Sequence, residues 1–357
     1  MSNQAFQTLK KLPIPLASSQ CVLHKHELLL CGGSGQRDCY SYHTIKNEYK
    51  FICEYPSDVV ISGYCVVKLV DNKNKNKDSN EITLLSFGGD ETSKRHTLMM
   101  KYVSVWSSHS QIDKSNNYNK WIQFTDNYDN PIIIKIDHDF CDGMRSVIGG
   151  SNNHLLFITH YPNDIRVFDL NTFQLIKYDN LPTDYFEYHC FVLKSENGQE
   201  MIGKKIEMLL FCRKDGLLIE YDENDNTFQF HQLPVYKDIE SFYKYAYVCI
   251  NDTILFFGGS YGISNCSNIS MSVHKYSIQE KTWNTFKHTL PSPLNLCAAI
   301  LNEEDNDIHI IGGRDDKLRL VSTHMKTKVR IWDVSQLVIV YLFICFDEIK
   351  KILLINK

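Results

Sequence analysis

Four apolar segments of this chain end on a pair of adjacent glycines, and their recurrence points to a repeated fold. The segments are LLLCGG (28–33), TLLSFGG (83–89), TILFFGG (253–259) and IHIIGG (308–313). Two further segments, HLLFITH (154–160) and MLLFCR (208–213), share the apolar pattern but lack the glycines. If Thr159 and Cys212 are the equivalent positions, the six units recur at roughly 50 residues. Short strands at this spacing predict a β-propeller rather than a helical solenoid.

Each unit also carries the marks of three further strands. One apolar strand precedes each of these segments. After the segment, an aromatic residue is followed seven positions later by another large apolar residue, with turn-forming residues between them. These pairs are Tyr42/Tyr49, Phe168/Leu175, Tyr221/Phe228 and Tyr276/Trp283. They predict a hairpin, so each unit offers four antiparallel strands, here called A to D.

The glycine pairs have a predicted structural role at the end of strand B. The chain must turn sharply there near the crowded centre of the ring. Such a turn uses backbone angles that residues without a Cβ atom adopt cheaply. The residues with this role are Gly32, Gly33, Gly88, Gly89, Gly258, Gly259, Gly312 and Gly313.

The combination of an apolar run with two glycines, then a tyrosine, then a tryptophan seven residues on, then Leu-Pro resembles the kelch repeat. The resemblance extends over about residues 6–334 and is clearest from Tyr245 to Pro291, which includes Tyr276 and Trp283. It implies a β-propeller and a protein-interaction role. The chain departs from the pattern in two units without glycines, and only Arg145 matches the arginine expected before strand A.

We expect a single all-β propeller domain over residues 1–357. The kelch-like repeats are placed at about 14–56, 57–131, 132–182, 183–234, 235–291 and 292–334. Residues 4–13 read as a lone D strand, and residues 337–356 read as lone A and B strands. Together they would form a composite seventh blade closed by both termini. The alternative is a six-bladed ring with two unrelated tails.

Charge and cysteine usage narrow the class of protein. A formal net charge of −4 argues against a general nucleic-acid or anionic-membrane binder. No secretory signal is predicted, and the longest apolar run (337–346) is too short to cross a bilayer as a helix. The twelve cysteines include no C-x-x-C pair, and many fall within apolar strands, which favours reduced core thiols. We expect a monomeric cytoplasmic protein without a cofactor.

Two groups of residues are of metal-ligating type. His24 and His26 alternate at a strand end, but this is an A–B turn, where polar residues are usual. The segment IDHDFCD (136–142) is more typical of a solvated acidic loop than of a cation site. No phosphate-binding loop or nucleophile elbow is present. We therefore predict no metal site and no catalytic residues.

A binding surface is predicted where the B–C and D–A loops share one face of the ring. Four of the six repeats place an arginine shortly after strand B: Arg37, Arg95, Arg213 and Arg314. A ring of guanidinium groups can bind carboxylates bidentately. Tyr128 and Tyr261 in the flanking loops would serve as aromatic anchors. The hypothesis is a pocket for an acidic segment, and the alternative is that these arginines are simply solvated.

These features predict a non-catalytic protein-interaction module or scaffold that presents a loop face to a protein or peptide partner. The alternative is a kelch-type metal-dependent enzyme, copper oxidase-like or lyase-like, with its site over the central channel. A copper site of that kind needs two histidines and two tyrosines from different blades, and no spacing in the sequence singles out such a set. Neither nucleic acid nor a membrane is expected as a partner.

Overall fold

The computed structural model describes residues 5–70, 81–89, 95–107, 117–126, 128–134, 142–194, 205–262 and 268–332. Within these ranges the protein consists of β-strands, apart from two short 3₁₀ helices at Lys237–Ile239 and Val329–Ile331. The first strand is β1 (Gln7–Thr8). The prediction of an all-β fold is confirmed.

Six four-stranded antiparallel sheets follow one another along the chain, and we call them blades 1 to 6. Blade 1 contains β2 (Gln20–His24), β3 (Glu27–Gly33), β4 (Gln36–His43) and β5 (Glu48–Glu54). Blade 2 contains β6 (Tyr64–Leu69), β7 (Glu81–Gly88), β8 (His96–Val103) and β9 (Ile122–Gln123). Blade 3 contains β10 (Arg145–Gly149), β11 (Leu155–His160), β12 (Asp164–Asp169) and β13 (Gln174–Asn180).

The second half of the chain repeats this plan. Blade 4 contains β14 (Cys190–Leu193), β15 (Lys205–Cys212), β16 (Asp215–Asp222) and β17 (Thr227–Gln232). A small three-stranded sheet combines β18 (Phe242–Tyr243) with β21 (Ser260–Tyr261) and β22 (Asn268–Ile269). Blade 5 contains β19 (Ala246–Ile250), β20 (Thr253–Phe257), β23 (Val273–Ser277) and β24 (Thr282–Thr285). Blade 6 contains β25 (Ala298–Asn302), β26 (Asp307–Ile311), β27 (His324–Lys328) and, at its edge, β1.

The first strands of the blades form the inner wall of a ring. Strand β2 contacts β6, β6 contacts β10, and β10 contacts β14. Strand β19 contacts β25, and β25 contacts β2, so blade 6 is the direct neighbour of blade 1. Blades 4 and 5 are joined by the Tyr247 hydroxyl of β19, which donates a hydrogen bond of 3.4 Å to the Phe191 carbonyl of β14. The described residues therefore form a closed β-propeller of six blades.

The N-terminal strand closes this ring, but in a different place from the one predicted. Gln7 pairs with Lys326 and Thr8 with Met325, so β1 is the outer strand of blade 6 and not part of a separate seventh blade. The neighbouring Phe6 is buried against Trp332, with ring centroids 5.6 Å apart. Pairing with β1 satisfies backbone groups that β27 would otherwise leave at an open edge. Residues 337–356, the other predicted part of a seventh blade, lie outside the described residues.

The aromatic pairs predicted to flank a hairpin are direct register partners. Tyr42 pairs with Tyr49, Phe168 with Leu175, Tyr221 with Phe228, and Tyr276 with Trp283. The Tyr276 and Trp283 rings lie 5.0 Å apart and also pack on Phe211 of blade 4. The Tyr276/Trp283 pair thus fills the space between blades 4 and 5, because a propeller sheet packs its faces against its neighbours.

Two of the glycine pairs allow the entry segment of the next blade to pass close to strand B. Gly258 and Gly312 have φ angles of +62° and +64°. A Cβ atom at Gly258 would lie 2.1 Å from the Leu294 carbonyl oxygen, and one at Gly312 would lie 2.3 Å from that of Leu16. The following glycine in each pair donates a 2.7 Å backbone hydrogen bond to the same carbonyl. At Gly258 and Gly312 both the backbone angle and the close approach of the next blade therefore require a residue without a Cβ atom.

Tyrosine hydroxyl groups join neighbouring blades at the end of strand B. Tyr64 donates a 2.6 Å hydrogen bond to the Cys31 carbonyl, and Tyr245 donates one of 2.6 Å to the Phe211 carbonyl. Cys31 precedes Gly32 and Phe211 precedes Cys212, so Cys212 does occupy the position of the first glycine. The same place between blades 3 and 4 holds a 2.6 Å hydrogen bond between Thr159 Oγ1 and His189 Nε2.

Loss of one such bond should weaken the ring measurably. We expect Tyr245→Phe to lower the free energy of unfolding by about 1–3 kcal/mol, because the substitution removes a buried hydrogen bond between blades and keeps the aromatic side chain. Urea denaturation followed by fluorescence measures this change. Tyr128→Phe is the control, since Tyr128 is 86% exposed. Equal stability of the two variants would contradict the assigned role of the Tyr245 hydroxyl.

Candidate anion-binding site at the channel mouth

Each blade is entered through one residue in the left-handed backbone region, just before its first strand. The six residues, with φ angles from 51° to 72°, are Ser18, Gly63, Gly143, Tyr188, Lys244 and Leu296. Backbone hydrogen bonds link several of them: the Ser18 N–H donates to the Leu296 carbonyl, and the Leu296 N–H donates to the Lys244 carbonyl, each at 2.8 Å. We call these six residues the channel rim. Non-glycine residues rarely adopt this conformation unless their surroundings impose it.

A cavity of about 260 Å³ opens inside the channel rim. Its polar lining includes Arg145, Tyr188, Lys244 and Tyr247, which come from blades 3, 4 and 5. A smaller cavity of about 50 Å³ adjoins it, shares Arg145 and Tyr188, and adds Asp142. The two cavities place side chains from several blades around one opening.

Aromatic rings hold the cationic side chains at this opening. The Lys244 ammonium lies 5.4 Å from the Tyr188 ring centroid and 4.9 Å from that of Tyr243. The Arg213 guanidinium lies 4.8 Å from the same Tyr243 ring. The Arg145 guanidinium lies 5.9 Å from the Tyr247 ring. Cation–π contacts at these distances restrict the cations without neutralising their charge.

The positive charges at the channel mouth have no anionic partner among the described residues. Arg145 donates from Nη1 to its neighbouring backbone carbonyls, at 2.9 Å to that of Met144. Arg314 Nε is buried without a hydrogen-bond acceptor in the described part of the chain. Burial and nearby carboxylates raise the pKa of Tyr188, whereas the charges of Arg145 and Arg314 act on it in the opposite direction. Arg145 lines both cavities together with Tyr188, and the charge of Arg314 also acts on the Tyr188 hydroxyl.

We use the name cation cluster for Arg145 and Lys244, which line the larger cavity, with Arg213, which shares the Tyr243 ring with Lys244, and Arg314, whose charge acts on Tyr188. It spans blades 3 to 6 and carries four positive charges in a protein whose formal net charge is −4. Elsewhere acidic partners are close, as where Lys326 and Lys328 each lie 2.8 Å from an Asp307 oxygen. The Asp142 carboxylate lines the smaller cavity with Arg145 and offsets part of this charge, and cations without a salt bridge at the mouth of a channel still favour an incoming anion.

The predicted arginines are divided between this cluster and other surroundings. Arg213 and Arg314 belong to the cation cluster. Arg37 lies in β4, where its Nη2 atom is 3.7 Å from an oxygen of Glu54 in the adjacent strand of the same blade. Arg95 directly precedes β8 in blade 2 and is partly buried. None of the four predicted arginines lines the two cavities at the mouth, where the only lining arginine among the described residues is Arg145.

The two predicted tyrosine anchors also differ. Tyr128 is 86% exposed on a turn in which an Asp126 oxygen accepts a 2.8 Å hydrogen bond from the Tyr128 N–H. Tyr261 lies in β21, with its ring 5.1 Å from Phe242 and its hydroxyl 3.2 Å from His274 Nε2. Tyr128 is therefore available to a partner, whereas Tyr261 is packed into the small sheet.

Four important residues of the site were missed as binding residues from the sequence: Arg145, Tyr188, Lys244 and Tyr247. Arg145 was noted only as a mark of the repeat. Tyr188 and Lys244 occupy the same position two residues before the first strand of their blades. A cationic or aromatic residue two positions before a predicted first strand is the sequence signal that could have identified them, because residues at that position belong to the channel rim.

The candidate metal ligands do not come together in the described residues. His24 is buried, and His26 Nδ1 lies 2.6 Å from an oxygen of Glu304 in blade 6. Asp137, His138 and Asp139 lie outside the described residues, and Asp142 accepts a 2.7 Å hydrogen bond from Ser62. In the described ranges, no group of three or more histidine, cysteine or acidic side chains is arranged to hold a metal ion.

Two histidines and two tyrosines do meet, at the junction of blades 6 and 1. The Tyr49 hydroxyl lies 2.6 Å from His324 Nδ1, and His324 Nε2 lies 2.9 Å from His309 Nδ1. The Tyr42 ring centroid is 4.3 Å from that of His324. The histidines are buried, so Tyr49, His324 and His309 form a hydrogen-bonded chain within the core between two blades, whereas the Tyr42 hydroxyl donates to Asn47 Oδ1.

Six blades, each a sheet of antiparallel strands, surround a channel with a polar mouth and define the protein as a β-propeller. Among solved structures it is similar to one titled "Structure of YjhT", with a TM-score of 0.60, 12% identity, and coverage of 90% of this chain and 97% of that chain. At this identity the likeness shows the fold alone. Matches to 1025 solved chains indicate a widely used architecture, which does not by itself select a function.

Comparisons at the level of sequence give no further assignment. No family model matches the chain, and no curated protein matches it. No helix in the part of the chain described by the structure is long and apolar enough to cross a membrane.

Proposed function

We propose that this β-propeller is a non-catalytic interaction module of kelch type that binds an acidic protein or peptide segment at the channel mouth. The observation that carries the proposal is the cation cluster, whose four charges have no carboxylate partner among the described residues. A partner carboxylate would supply the missing counter-charge. The cytoplasm is the proposed compartment, because the nine described cysteines are all free, as expected where thiols are kept reduced.

The arrangement of the cluster suits carboxylate groups. Guanidinium groups bind carboxylates through two parallel hydrogen bonds, and such charged bonds are stronger than neutral ones. The rings of Tyr188, Tyr243 and Tyr247 hold three of the cations, so a ligand would pay less entropy to order them. Arg314 Nε, buried without an acceptor among the described residues, would gain one from a bound carboxylate.

A short acidic segment fits better than a nucleic acid. The chain has 42 acidic and 38 basic residues, so it carries no overall basic excess. A nucleic acid presents phosphates over a long surface and is usually bound by an extended basic stripe. The exposed rings of Tyr128 and Tyr185, 86% and 67% exposed, lie in D–A connections and offer contacts of the kind that dominate protein interfaces.

The metal-dependent enzyme considered as the alternative would need ligands over the channel. The described lining of the larger cavity contains no histidine, aspartate or glutamate. Its thiols are poor ligands in their resting state, because burial raises the pKa of Cys21 and of Cys297 to about 12. No observation in the described residues favours this alternative over the binding module.

Binding of an acidic probe tests the proposal. We expect a fluorescein-labelled octaglutamate peptide to bind the full chain and to lose at least about tenfold in affinity with Arg145→Gln/Lys244→Met, since charged hydrogen bonds contribute this much. Affinity should also fall as salt is raised. Fluorescence anisotropy measures both effects.

Arg37→Ala is the matched control, since Arg37 pairs with Glu54 within its own blade. We expect it to bind the peptide within about twofold of the unmodified chain. Thermal unfolding of both variants checks that they are folded. Equal affinity of the unmodified chain and the double variant, or affinity that does not respond to salt, would rule out the channel mouth as an acidic-segment site.

A further inference from the structure

Three cysteines of blade 1 lie directly opposite one another on neighbouring strands. Cys31 in β3 is the register partner of Cys39 in β4, and Cys39 is the register partner of Cys53 in β5. Opposite residues of antiparallel strands point to the same face, with Cβ atoms about 4.5–5.5 Å apart. Cα separations of such pairs, about 4.5–5.5 Å, fall within the range that disulfides bridge. We call these three residues the thiol row.

The register distinguishes the thiol row from the other cysteines in described strands. Each of those cysteines faces a residue that is not cysteine: Cys21 faces Leu30, Cys65 faces Phe87, Cys190 faces Phe211, Cys212 faces Asp215 and Cys249 faces Ile254. Only in blade 1, within the described strands, does a cysteine face another cysteine. Local register shifts accompany both pairings of Cys39, so the ladder is already irregular where a bond would form.

The central thiol has an environment that stabilises its anion. Trp121 donates a 3.3 Å hydrogen bond from Nε1 to Cys39 Sγ. Burial raises the pKa of the Cys39 thiol, whereas the neighbouring Cys31 and Cys53 thiols and the Trp121 N–H lower it below its usual range. The Cys39 thiol lies 3.9 Å from the Arg37 carbonyl, to which it donates, and the Cys53 thiol lies 3.7 Å from Met100 Sδ. Hydrogen bonding to Cys39, followed by burial, raises the pKa of Cys31 and of Cys53. Its place between two thiols and the hydrogen bond from Trp121 make Cys39 the candidate nucleophile of the row.

We propose that the thiol row is an oxidation site at which Cys39 forms a disulfide with Cys31 or Cys53 when the protein meets hydrogen peroxide. The Cys39 thiolate attacks one peroxide oxygen and the O–O bond breaks. The departing hydroxide takes up a proton to become water, and Cys39 becomes a sulfenic acid. The neighbouring sulfur, having lost its proton, attacks the Cys39 sulfur, and the S–O bond breaks to release a second water.

Electrons and atoms balance in this sequence. Two thiols lose two electrons and two hydrogens, and one peroxide is reduced to two waters. Because Cys39 has a thiol on each side, the remaining cysteine can attack the new disulfide and exchange partners with it. The reduced row is the state in the structure, where all three thiols are free and lie in the core between blades 1 and 2.

Peroxide treatment of the full chain, followed by alkylation and peptide mapping without reduction, tests the proposal. We expect Cys39 linked to Cys31 or Cys53, at a rate at least about tenfold above oxidation of Cys65, a buried thiol that faces Phe87. Oxidation of Met271, which is 41% exposed, reports that peroxide has acted. If Cys39 remains alkylatable in chains whose Met271 is oxidised, the proposal fails.

Single substitutions sharpen the test. With Cys31→Ser the disulfide should shift wholly to Cys39 and Cys53, and with Cys53→Ser to Cys31 and Cys39. With Cys39→Ser we expect no disulfide, since the two remaining thiols are separated by a whole strand. The first two variants keep the test decisive if Cys39→Ser does not fold. Disulfide formation in Cys39→Ser as fast as in the unmodified chain would overturn the central role of Cys39.

Discussion

Gly312→Ala is expected to lower the free energy of unfolding by about 3 kcal/mol or more, among the largest effects of any single substitution in this protein. The φ angle of +64° alone costs an L-residue about 1–2 kcal/mol. The added Cβ atom would also lie 2.3 Å from the Leu16 carbonyl oxygen, which belongs to the entry of blade 1. Backbone cannot move aside as a flexible side chain can, so blade 6 must separate from blade 1.

A matched control separates these two costs. Gly35 has a φ angle of +71°, but a Cβ atom there would meet no heavy atom within 4 Å other than those of its chain neighbours. Gly35→Ala should therefore lose only the conformational part, about 1–2 kcal/mol. Urea denaturation of both variants gives the difference between them. Equal losses would show that the close approach of Leu16 contributes nothing to the role of Gly312.

Stability is expected to fall steeply as the pH drops from 7 to 5, because several buried histidines are neutral in the folded protein. Burial lowers the pKa of His96 and of His309 to about 4, and it lowers the pKa of His189 and His324 well below the usual 6.5. In the unfolded chain these rings take up protons near pH 6.5. The unfolded state therefore binds more protons in this window, and unfolding becomes easier as the pH falls.

The expected loss is about 2 kcal/mol by pH 5 for each of His96 and His309, with further losses from the other two. The pair at the junction of blades 6 and 1 explains why protons are excluded. His324 Nε2 and His309 Nδ1 share a 2.9 Å hydrogen bond, which needs one nitrogen without a proton. Protonation of both rings would set two N–H groups against each other.

Urea denaturation at a series of pH values measures this dependence. His96→Gln should reduce the slope of stability against pH between 7 and 5, since His96 is buried and lies 2.9 Å from the Ser86 hydroxyl. His288→Gln is the control, because His288 is exposed. A slope that is the same in all three proteins would show that His96 does not titrate with folding.

The strand plan could be predicted from local sequence. The glycine pairs and the aromatic pairs seven residues apart marked strands B, C and D in most units, and Tyr276 does face Trp283 as that spacing requires. These signals are local, because side-chain alternation and turn chemistry act over a few residues. The same local signals placed Cys212 at the glycine-equivalent position in blade 4. The structure supports this placement, because the Tyr245 hydroxyl donates to the carbonyl of the preceding residue, Phe211.

Contacts between blades could not be predicted in the same way. Arg37 and Arg213 follow strand B alike in the sequence, yet Arg37 lies beside Glu54 and Arg213 beside Tyr243. Which neighbour each one meets depends on residues far along the chain. The position of Lys244 in the channel rim likewise depends on the entry geometry of blade 5, and no local pattern reports it.

The sequence by itself therefore determined the class of fold, the number of repeats and the order of strands within each repeat. Only the tertiary structure decided that β1 completes blade 6, that Arg145 of blade 3 and Lys244 of blade 5 line one opening, and that three cysteines align across blade 1. The physical reason is distance along the chain. Repeats specify their own sheets through short-range patterns, whereas ring closure and register bring together side chains whose neighbours no short pattern encodes.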